Sequence, residues 1–206
     1  LYQMELEPAD YELVKRGITR PRLVLFRYAV GSESTEQREK GFEDEMRRLA
    51  PDAVWVSTDK YAGTTRDSAM REAGRFLPGL DGKIDASFAP NESSASGTLD
   101  VLRSRGMNKK VLLMAFDASK PLLQAIQDGD VVGSILQDPY KMGYLSTWCC
   151  VRHLLGEDVT PPVKELWTGE HVVVRNANGE LVTTENPDPE FVRGLYDPEA
   201  QAKRAM

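Results

Sequence analysis

Cysteine and histidine are scarce in this sequence of 206 residues, which contains two of each. The cysteines, Cys149 and Cys150, are adjacent, and neighbouring residues on a helix do not face each other well enough to form a disulfide easily. We therefore predict that both are small buried apolar residues. The spacing of the cysteine, histidine and carboxylate residues is not typical of a metal site, and the sequence predicts no metal ion.

Long apolar runs and long basic runs are also missing. No stretch approaches the roughly 18 to 20 consecutive apolar residues that cross a bilayer, and residues 1–10 are acidic where a secretory signal is basic and then apolar. Basic residues number 26 against 32 acidic ones, which gives a net charge of −6. We therefore expect no membrane span and no leader within this sequence, and the acidic balance disfavours nucleic acid as the main partner.

Apolar residues make up 41% of the chain, as in an ordinary globular protein. From Arg22 onward, short apolar runs alternate five times with amphipathic segments, a pattern typical of a parallel sheet covered by helices on both faces. Ser34 and Gln37 have the spacing of a capping box at the start of the first of these helices. The predicted strands are Leu23–Phe26, Ala53–Val56, Ile84–Ala89, Val111–Phe116 and Val131–Leu136, and three of the predicted helices are 35–50, 66–77 and 140–155.

The character of the sequence changes after Pro161 and Pro162. Two short apolar runs flank residues 176–179, Asn-Ala-Asn-Gly, which are a hairpin turn signal. Beyond residue 186 the chain is polar and contains three prolines, so we expect a surface tail with one short helix. The predicted fold class is therefore α/β, with a parallel sheet, helices on both faces and a C-terminal β-hairpin.

Polar side chains follow each of the five predicted strands. Because ligands of open α/β sheets bind outside the carboxyl ends of the strands, these side chains are expected to share one rim. Carboxylate and amide groups engage pairs of hydroxyls, and an aromatic face covers the C–H side of a sugar ring. The inventory therefore indicates a neutral polyhydroxylated ligand, and the candidate residues are Arg38, Tyr61, Asn91, Asp117 and Gln137.

Signals of catalysis and of bound cofactors are missing from the same strand ends. Neither His153 nor His171 falls at a predicted rim position, and no nucleophile motif does so. No glycine-rich dinucleotide or phosphate loop follows a strand, so we expect no cofactor. A flavodoxin-like enzyme or signalling domain would need such a loop or an acidic pocket; residues 31–35 carry hydroxyls, but their glutamate disfavours phosphate.

Four segments occur in an order and spacing that resemble a known family. Together they resemble the type I periplasmic sugar-binding proteins of ABC transporters, the ribose-binding group in particular, from about Arg22 to about Thr184. The segments are residues 34–42 (STEQREKGF), 88–92 (FAPNE), 115–118 (AFDA) and 137–143 (QDPYKMG).

The resemblance implies a fold of two lobes joined by a hinge, with the sugar held between them. It implies that Arg38, Asn91, Asp117 and Gln137 occupy ligand-contacting or hinge positions, and that Tyr61 is the aromatic residue of the second lobe. It also implies a non-enzymatic, cofactor-free solute-binding component of a bacterial sugar uptake system. Its partners are a monosaccharide and a membrane permease, and its location is periplasmic or extracellular and membrane-anchored.

The domain division that follows from the resemblance has four parts. Residues 1–20 are a short leading helix or remnant, 21–136 a C-terminal-type lobe, 137–162 a hinge and a helix of the first lobe, and 163–206 a return strand, hairpin and tail. Most of a first lobe is not accounted for, so we interpret the chain as a fragment whose exposed helix 140–155 promotes self-association. The alternative is the effector-binding domain of a LacI-type regulator, which a preceding helix-turn-helix would distinguish.

Overall fold

Seven strands form one mixed sheet in a computed structural model of the chain, which describes residues 13, 15–159, 170–175, 178, 180–183 and 188–197. The strands are β1 (Arg22–Arg27), β2 (Val54–Tyr61), β3 (Ala86–Phe88), β4 (Leu112–Phe116), β5 (Gly133–Gln137), β6 (Glu170–Arg175) and β7 (Leu181–Thr183). The helices are α1 (Glu33–Leu49), α2 (Arg66–Phe76), α3 (Glu92–Ser104), α4 (Lys120–Gln127), α5 (Pro139–Leu154) and α6 (Pro189–Tyr196), and a 3₁₀ turn spans Leu77–Leu80.

The strand order is β2-β1-β3-β4-β5-β6-β7. Strands β1 to β5 are parallel, whereas β6 pairs antiparallel with β5, and β7 pairs antiparallel with β6. The predicted α/β class and the C-terminal hairpin are therefore confirmed, and this antiparallel hairpin of β6 and β7 extends the parallel sheet. The chain passes outward from β1 to β2 and then returns to β3 on the other side of β1, so the crevice between β1 and β3 is the expected ligand position.

Both faces of the sheet are buried under helices, as the continuous apolar run of β1 predicted. Val24 and Phe26 belong to one core cluster with residues of α2, α3 and α4. Leu23 and Leu25 belong to the other cluster, with Phe42 of α1. Alternate residues of one strand therefore supply opposite cores, which fixes the register of β1 against a one-residue slip.

The start of α1 differs from the prediction. The helix begins at Glu33 with Ser32 at the N-cap position, and the Ser32 side chain makes no capping hydrogen bond. The backbone amides of Thr35 and Glu36 both donate to the Ser32 carbonyl. Ser34 therefore already lies inside the first turn, and the predicted capping box of Ser34 and Gln37 is wrong.

Helices α2 and α3 approach each other closely at Gly97. A Cβ atom built on Gly97 would lie 2.5 Å from the Ala69 Cβ and 2.6 Å from the Arg66 carbonyl oxygen. Gly97→Ala is therefore expected to lower the free energy of unfolding by about 1 to 3 kcal/mol, because the helices must move apart. Urea denaturation measures the change.

Gly143 of α5 supplies the matched control for this prediction. A Cβ atom on Gly143 meets no atom of the described residues within 4 Å. Gly143→Ala is therefore expected to raise the free energy of unfolding by about 0.5 to 1 kcal/mol, as alanine does in an open helix. Equal effects of the two substitutions would show that the helices do not pack closely at Gly97.

Helix α5 carries an exposed apolar surface, as the sequence indicated. Of its sixteen residues, all of them described, Leu145 alone is buried. Cys149 is partly exposed and Cys150 is exposed, so the prediction that both cysteines are buried is wrong. Tyr144, Val151 and Leu154 are exposed to 58%, 52% and 79%. Within the part of the chain that the structure describes, no helix has the length and apolarity that a bilayer crossing requires.

Some sequence predictions concern residues outside the described ranges. They are the greater part of the leading segment 1–20, most of the turn 176–179 and much of the polar tail. The domain division as a whole stays a prediction. Helix α6 is the short helix expected within the tail.

Candidate functional site

Arg38 spans the crevice between β1 and β3. The residue lies on α1, the helix that follows β1, and its Nη1 donates a hydrogen bond to the carbonyl oxygen of Pro90, 3.0 Å away. Its guanidinium carbon lies 3.7 Å from the ring centroid of Phe116, the last residue of β4. A cation stacked on a buried aromatic ring is held in a fixed position. The strand ends of β1, β3 and β4 are thereby joined through one guanidinium.

Asp117 follows β4 directly and has a left-handed backbone with φ of 71°. The Asp117 amide donates to the Ile135 carbonyl oxygen at 2.7 Å, and the Asp117 carbonyl oxygen accepts a hydrogen bond from the Ser134 hydroxyl at 2.7 Å. Aspartate tolerates this conformation better than most residues, and such geometry is concentrated at functional sites. The backbone of the neighbouring strand therefore fixes where the carboxylate stands.

The carboxylate of Asp117 is half-buried and only partly satisfied. Its Oδ2 accepts a hydrogen bond from the Glu92 amide at 3.2 Å, whereas Oδ1 accepts none from the described residues. Burial raises the pKa of Asp117 above its usual value, although the Glu92 amide and the positive charge of Arg38 act in the opposite direction. A carboxylate with little water and one open oxygen is a strong acceptor for the hydroxyl of a ligand.

Asn91 has a structural role at the same strand end. It is the N-cap residue of α3, and its Oδ1 accepts a hydrogen bond from the Ser94 amide at 3.2 Å. Its Nδ2 donates to the Ser93 hydroxyl at 3.1 Å. An amide nitrogen carries two protons, so one remains for a ligand.

Asn91 is brought next to Arg38 and Asp117, because its neighbours Pro90 and Glu92 contact those two residues.

Gln137 and Tyr61 are the other two predicted site residues. Gln137 ends β5, the strand beside β4, and its side chain makes no hydrogen bond with the described residues. Tyr61 ends β2, an edge strand of the sheet, and is 46% exposed. The structure therefore brings Arg38, Asn91 and Asp117 to one strand end, through contacts of Pro90 and Glu92 on either side of Asn91, and places Gln137 on the adjacent strand. Tyr61 lies at the same edge of the sheet but is separated from β3 by β1.

A buried ion pair behind the site was missed by sequence reasoning. Glu39, on α1 beside Arg38, accepts hydrogen bonds from the Tyr28 amide at 2.8 Å and from Arg27 Nη1 at 2.9 Å. Burial raises the pKa of Glu39, and these two hydrogen bonds offset part of that rise. This contact ties the end of β1 to α1, so it sets the direction from which Arg38 reaches the crevice. Glu39 stands among other charged residues, and nothing in the local sequence distinguishes it.

The histidine prediction requires one correction. Because β6 is antiparallel to β5, His171 pairs with Leu136 and comes close to the carboxyl edge of the parallel strands. Its ring packs edge-on against Phe191 of α6, with centroids 5.0 Å apart. His153 is exposed on α5. Within the described ranges, no group of three His, Cys, Asp or Glu side chains could hold a metal ion.

Comparison with known proteins decides the family. The family model described as periplasmic binding protein domain matches residues 11–158 of this chain. The chain belongs to this family. The resemblance drawn from the four segments is thereby confirmed, and the candidate site lies within the matched residues.

Relatives of this periplasmic binding protein domain include the ribose import binding protein RbsB of Bacillus subtilis (strain 168). The two sequences are 30% identical over 129 residues, which are 63% of this chain and 40% of the relative. A crystallised periplasmic component of an ABC-type sugar transport system from Hahella chejuensis is also 30% identical. It has a TM-score of 0.65, and the match covers 76% of this chain and 56% of that protein.

A third similar protein was crystallised with a sugar. It is a carbohydrate transporter solute binding protein from Agrobacterium radiobacter in complex with D-arabinose, 25% identical with a TM-score of 0.69. The match covers 98% of this periplasmic binding protein domain and 62% of that chain. The chain thus spans 40% of the B. subtilis relative and between half and two thirds of the two crystallised proteins.

Proposed function

We propose that this chain is part of the solute-binding component of a bacterial ABC-type carbohydrate uptake system, and that its ligand is a monosaccharide. The observation that carries the proposal is the half-buried carboxylate of Asp117, which interacts with the positive charge of Arg38 and has one oxygen without a hydrogen bond from the described residues. The names of the relatives support it, because they are a ribose import binding protein and a protein complexed with D-arabinose.

The site is suited to grip hydroxyl groups. The open oxygen of Asp117 accepts from a sugar hydroxyl, the remaining N–H groups of Arg38 donate to one, and the amide of Gln137 does both. Each hydrogen bond to a charged group contributes about 1.5 to 3 kcal/mol. Sugar binding, without chemical change and without a cofactor, is the function that these groups support.

The sugar is then held between two lobes, of which residues 21–136 supply one, and residues 137–162 supply the hinge and a helix of the other lobe. Closure of the lobes around the ligand changes the surface that is shown to the membrane permease. The exposed apolar residues of α5 belong to the packing surface of the other lobe, and the isolated chain self-associates through them. The protein acts in the periplasm, or outside the cell on a membrane anchor.

The proposed function is tested by calorimetry. The full-length protein, as its gene encodes it, is titrated with a panel of pentoses and hexoses. At least one sugar is expected to bind, and Arg38→Gln is expected to weaken binding about tenfold, the equivalent of one hydrogen bond to a charged group of about 1.5 kcal/mol. Arg48→Gln, the same charge change at an exposed position of the same helix, leaves the affinity unchanged. If no sugar of the panel binds, the proposed function is wrong.

A further inference from the structure

A polar pocket opens at the amino ends of the parallel strands, opposite the candidate site, where β4 and β5 begin. It has a volume of about 230 Å³, and its lining includes four cationic side chains and a single carboxylate, Asp130. The chain as a whole carries a net charge of −6, so this pocket concentrates positive charge against the overall balance. The four cationic residues are Lys15, Arg16, Lys109 and Arg175.

Two guanidinium groups are fixed in the pocket by backbone carbonyls. Arg16 Nη1 donates to the Lys110 carbonyl oxygen at 3.0 Å, and Arg175 Nη1 donates to the Gln127 carbonyl oxygen at 3.0 Å. Neither side chain pairs with a carboxylate of the described residues. Each guanidinium therefore keeps donors and an uncompensated charge for a ligand.

The turns around the pocket are shaped to hold these cations. Gly129 has φ of 75°, and a Cβ atom there would lie 3.3 Å from Arg175 Nη2, so glycine lets the guanidinium lie close over the turn. Lys109 has the left-handed φ of 64°, which costs a lysine about 1 kcal/mol or more. Amide donation from Lys110 and Val111 to the Met107 carbonyl closes this turn. This turn places Lys109 in the lining of the pocket.

The Asp130 carboxylate does not neutralise the positive charge of the pocket. Its carboxylate accepts hydrogen bonds from Arg103 Nε at 2.8 Å and from Asn108 Nδ2 at 2.9 Å, and neither of these residues lines the pocket. Among the cationic lining residues it pairs with Lys109, at 3.8 Å. The Asp130 carboxylate is thus paired with residues outside the pocket lining. The positive charges of Arg16 and Arg175 are not neutralised by it.

We propose that this pocket binds a phosphate-type oxyanion. The rigid forks of Arg16 and Arg175 match the oxygens of a phosphoryl group, and the ammonium of Lys109 adds a point charge. The volume of about 230 Å³ is below the roughly 300 to 1,000 Å³ of sites for drug-sized molecules, so the ligand is a small anion or a single phosphate head. Strand β4 of five residues separates the pocket from Asp117 by about 15 Å, so sugar and anion bind independently.

The test is titration with sodium phosphate by calorimetry and by thermal unfolding, against sodium chloride of equal ionic strength. Phosphate is expected to bind and to raise the unfolding temperature, as any ligand of the folded state does. The double variant Arg16→Gln, Arg175→Gln is expected to weaken phosphate binding at least tenfold and to leave sugar affinity unchanged. Arg71→Gln, an exposed site on α2, is the charge control and keeps the affinity of the wild type.

A phosphate group in this pocket could be free in solution or part of a lipid, and sedimentation with vesicles separates the two sources. Binding to phosphatidylglycerol vesicles but not to phosphatidylcholine vesicles, lost in the double variant, identifies a lipid headgroup. Binding of free phosphate without sedimentation identifies the soluble ion. The proposal is overturned if neither form binds, or if the double variant and Arg71→Gln bind phosphate equally well.

Discussion

Asp117→Asn is expected to weaken sugar binding by the protein about thirtyfold or more. The substitution removes the negative charge that strengthens each hydrogen bond from a ligand hydroxyl, and it leaves one acceptor where the carboxylate offered two. A loss of about 2 kcal/mol corresponds to roughly a thirtyfold change in the dissociation constant. Titration calorimetry with the sugar that the wild type binds measures the change.

The same substitution is expected to leave the sugar-free protein at least as stable as the wild type at neutral pH. Burial raises the pKa of Asp117, so protonation favours the folded state. The stabilisation is therefore complete below the pKa of the unfolded chain and is lost as the pH rises through the higher folded pKa. At neutral pH the partly buried negative charge lowers the stability of the folded state, and the neutral asparagine removes this cost. The asparagine oxygen still accepts a hydrogen bond from the Glu92 amide.

Asp81→Asn is the matched control, because Asp81 is an exposed carboxylate in the turn before β3. It is expected to change neither the sugar affinity nor the unfolding temperature. An Asp117→Asn protein that binds sugar as tightly as the wild type would show that this carboxylate is no ligand contact. Weak binding combined with a lowered unfolding temperature would instead indicate a structural role.

The central strands were predictable because burial on both faces leaves a continuous apolar signal. Strand β1 and its neighbours β3 to β5 therefore appear in the sequence within a few residues of their observed bounds. Strand β2 was predicted to end at Val56 but extends to Tyr61. It lies at the edge of the sheet, and its last residues are polar or partly exposed, so the apolar pattern ends before the strand does.

The positions of the candidate residues were predictable, whereas their contacts were not. Parallel strands with short connections place the residues after each strand at one edge, which is why Asp117 and Asn91 lie together. The stacking of Arg38 on Phe116 joins a polar helix segment to a buried ring far along the chain. The pairing of His171 with Leu136 depends on the antiparallel register of β6. The stacking and the pairing both join residues far apart in the chain, so no local sequence pattern predicts them.

Glu39→Ala is expected to lower the free energy of unfolding by about 3 kcal/mol. The side chain is 1% exposed, and its loss leaves the Tyr28 amide without its acceptor and the partly buried Arg27 with one carboxylate fewer. An unsatisfied buried donor costs about 1 to 3 kcal/mol, and a broken buried ion pair about 3 to 5 kcal/mol. The estimate lies at the lower end of the second range because Glu43 still pairs with Arg27. Urea denaturation gives the value.

Glu43→Ala tests whether burial or charge decides this effect, because Glu43 pairs with the same guanidinium at 3.2 Å but is 19% exposed. It accepts no backbone amide from the described residues, so its removal leaves no buried donor unsatisfied. The expected loss is about 1 kcal/mol or less. Equal losses for the two variants would mean that the Tyr28 amide contributes nothing, and that the end of β1 is not held to α1 through Glu39. A loss confined to Glu39→Ala, accompanied by weaker sugar binding, would show that this buried carboxylate positions Arg38 in the crevice.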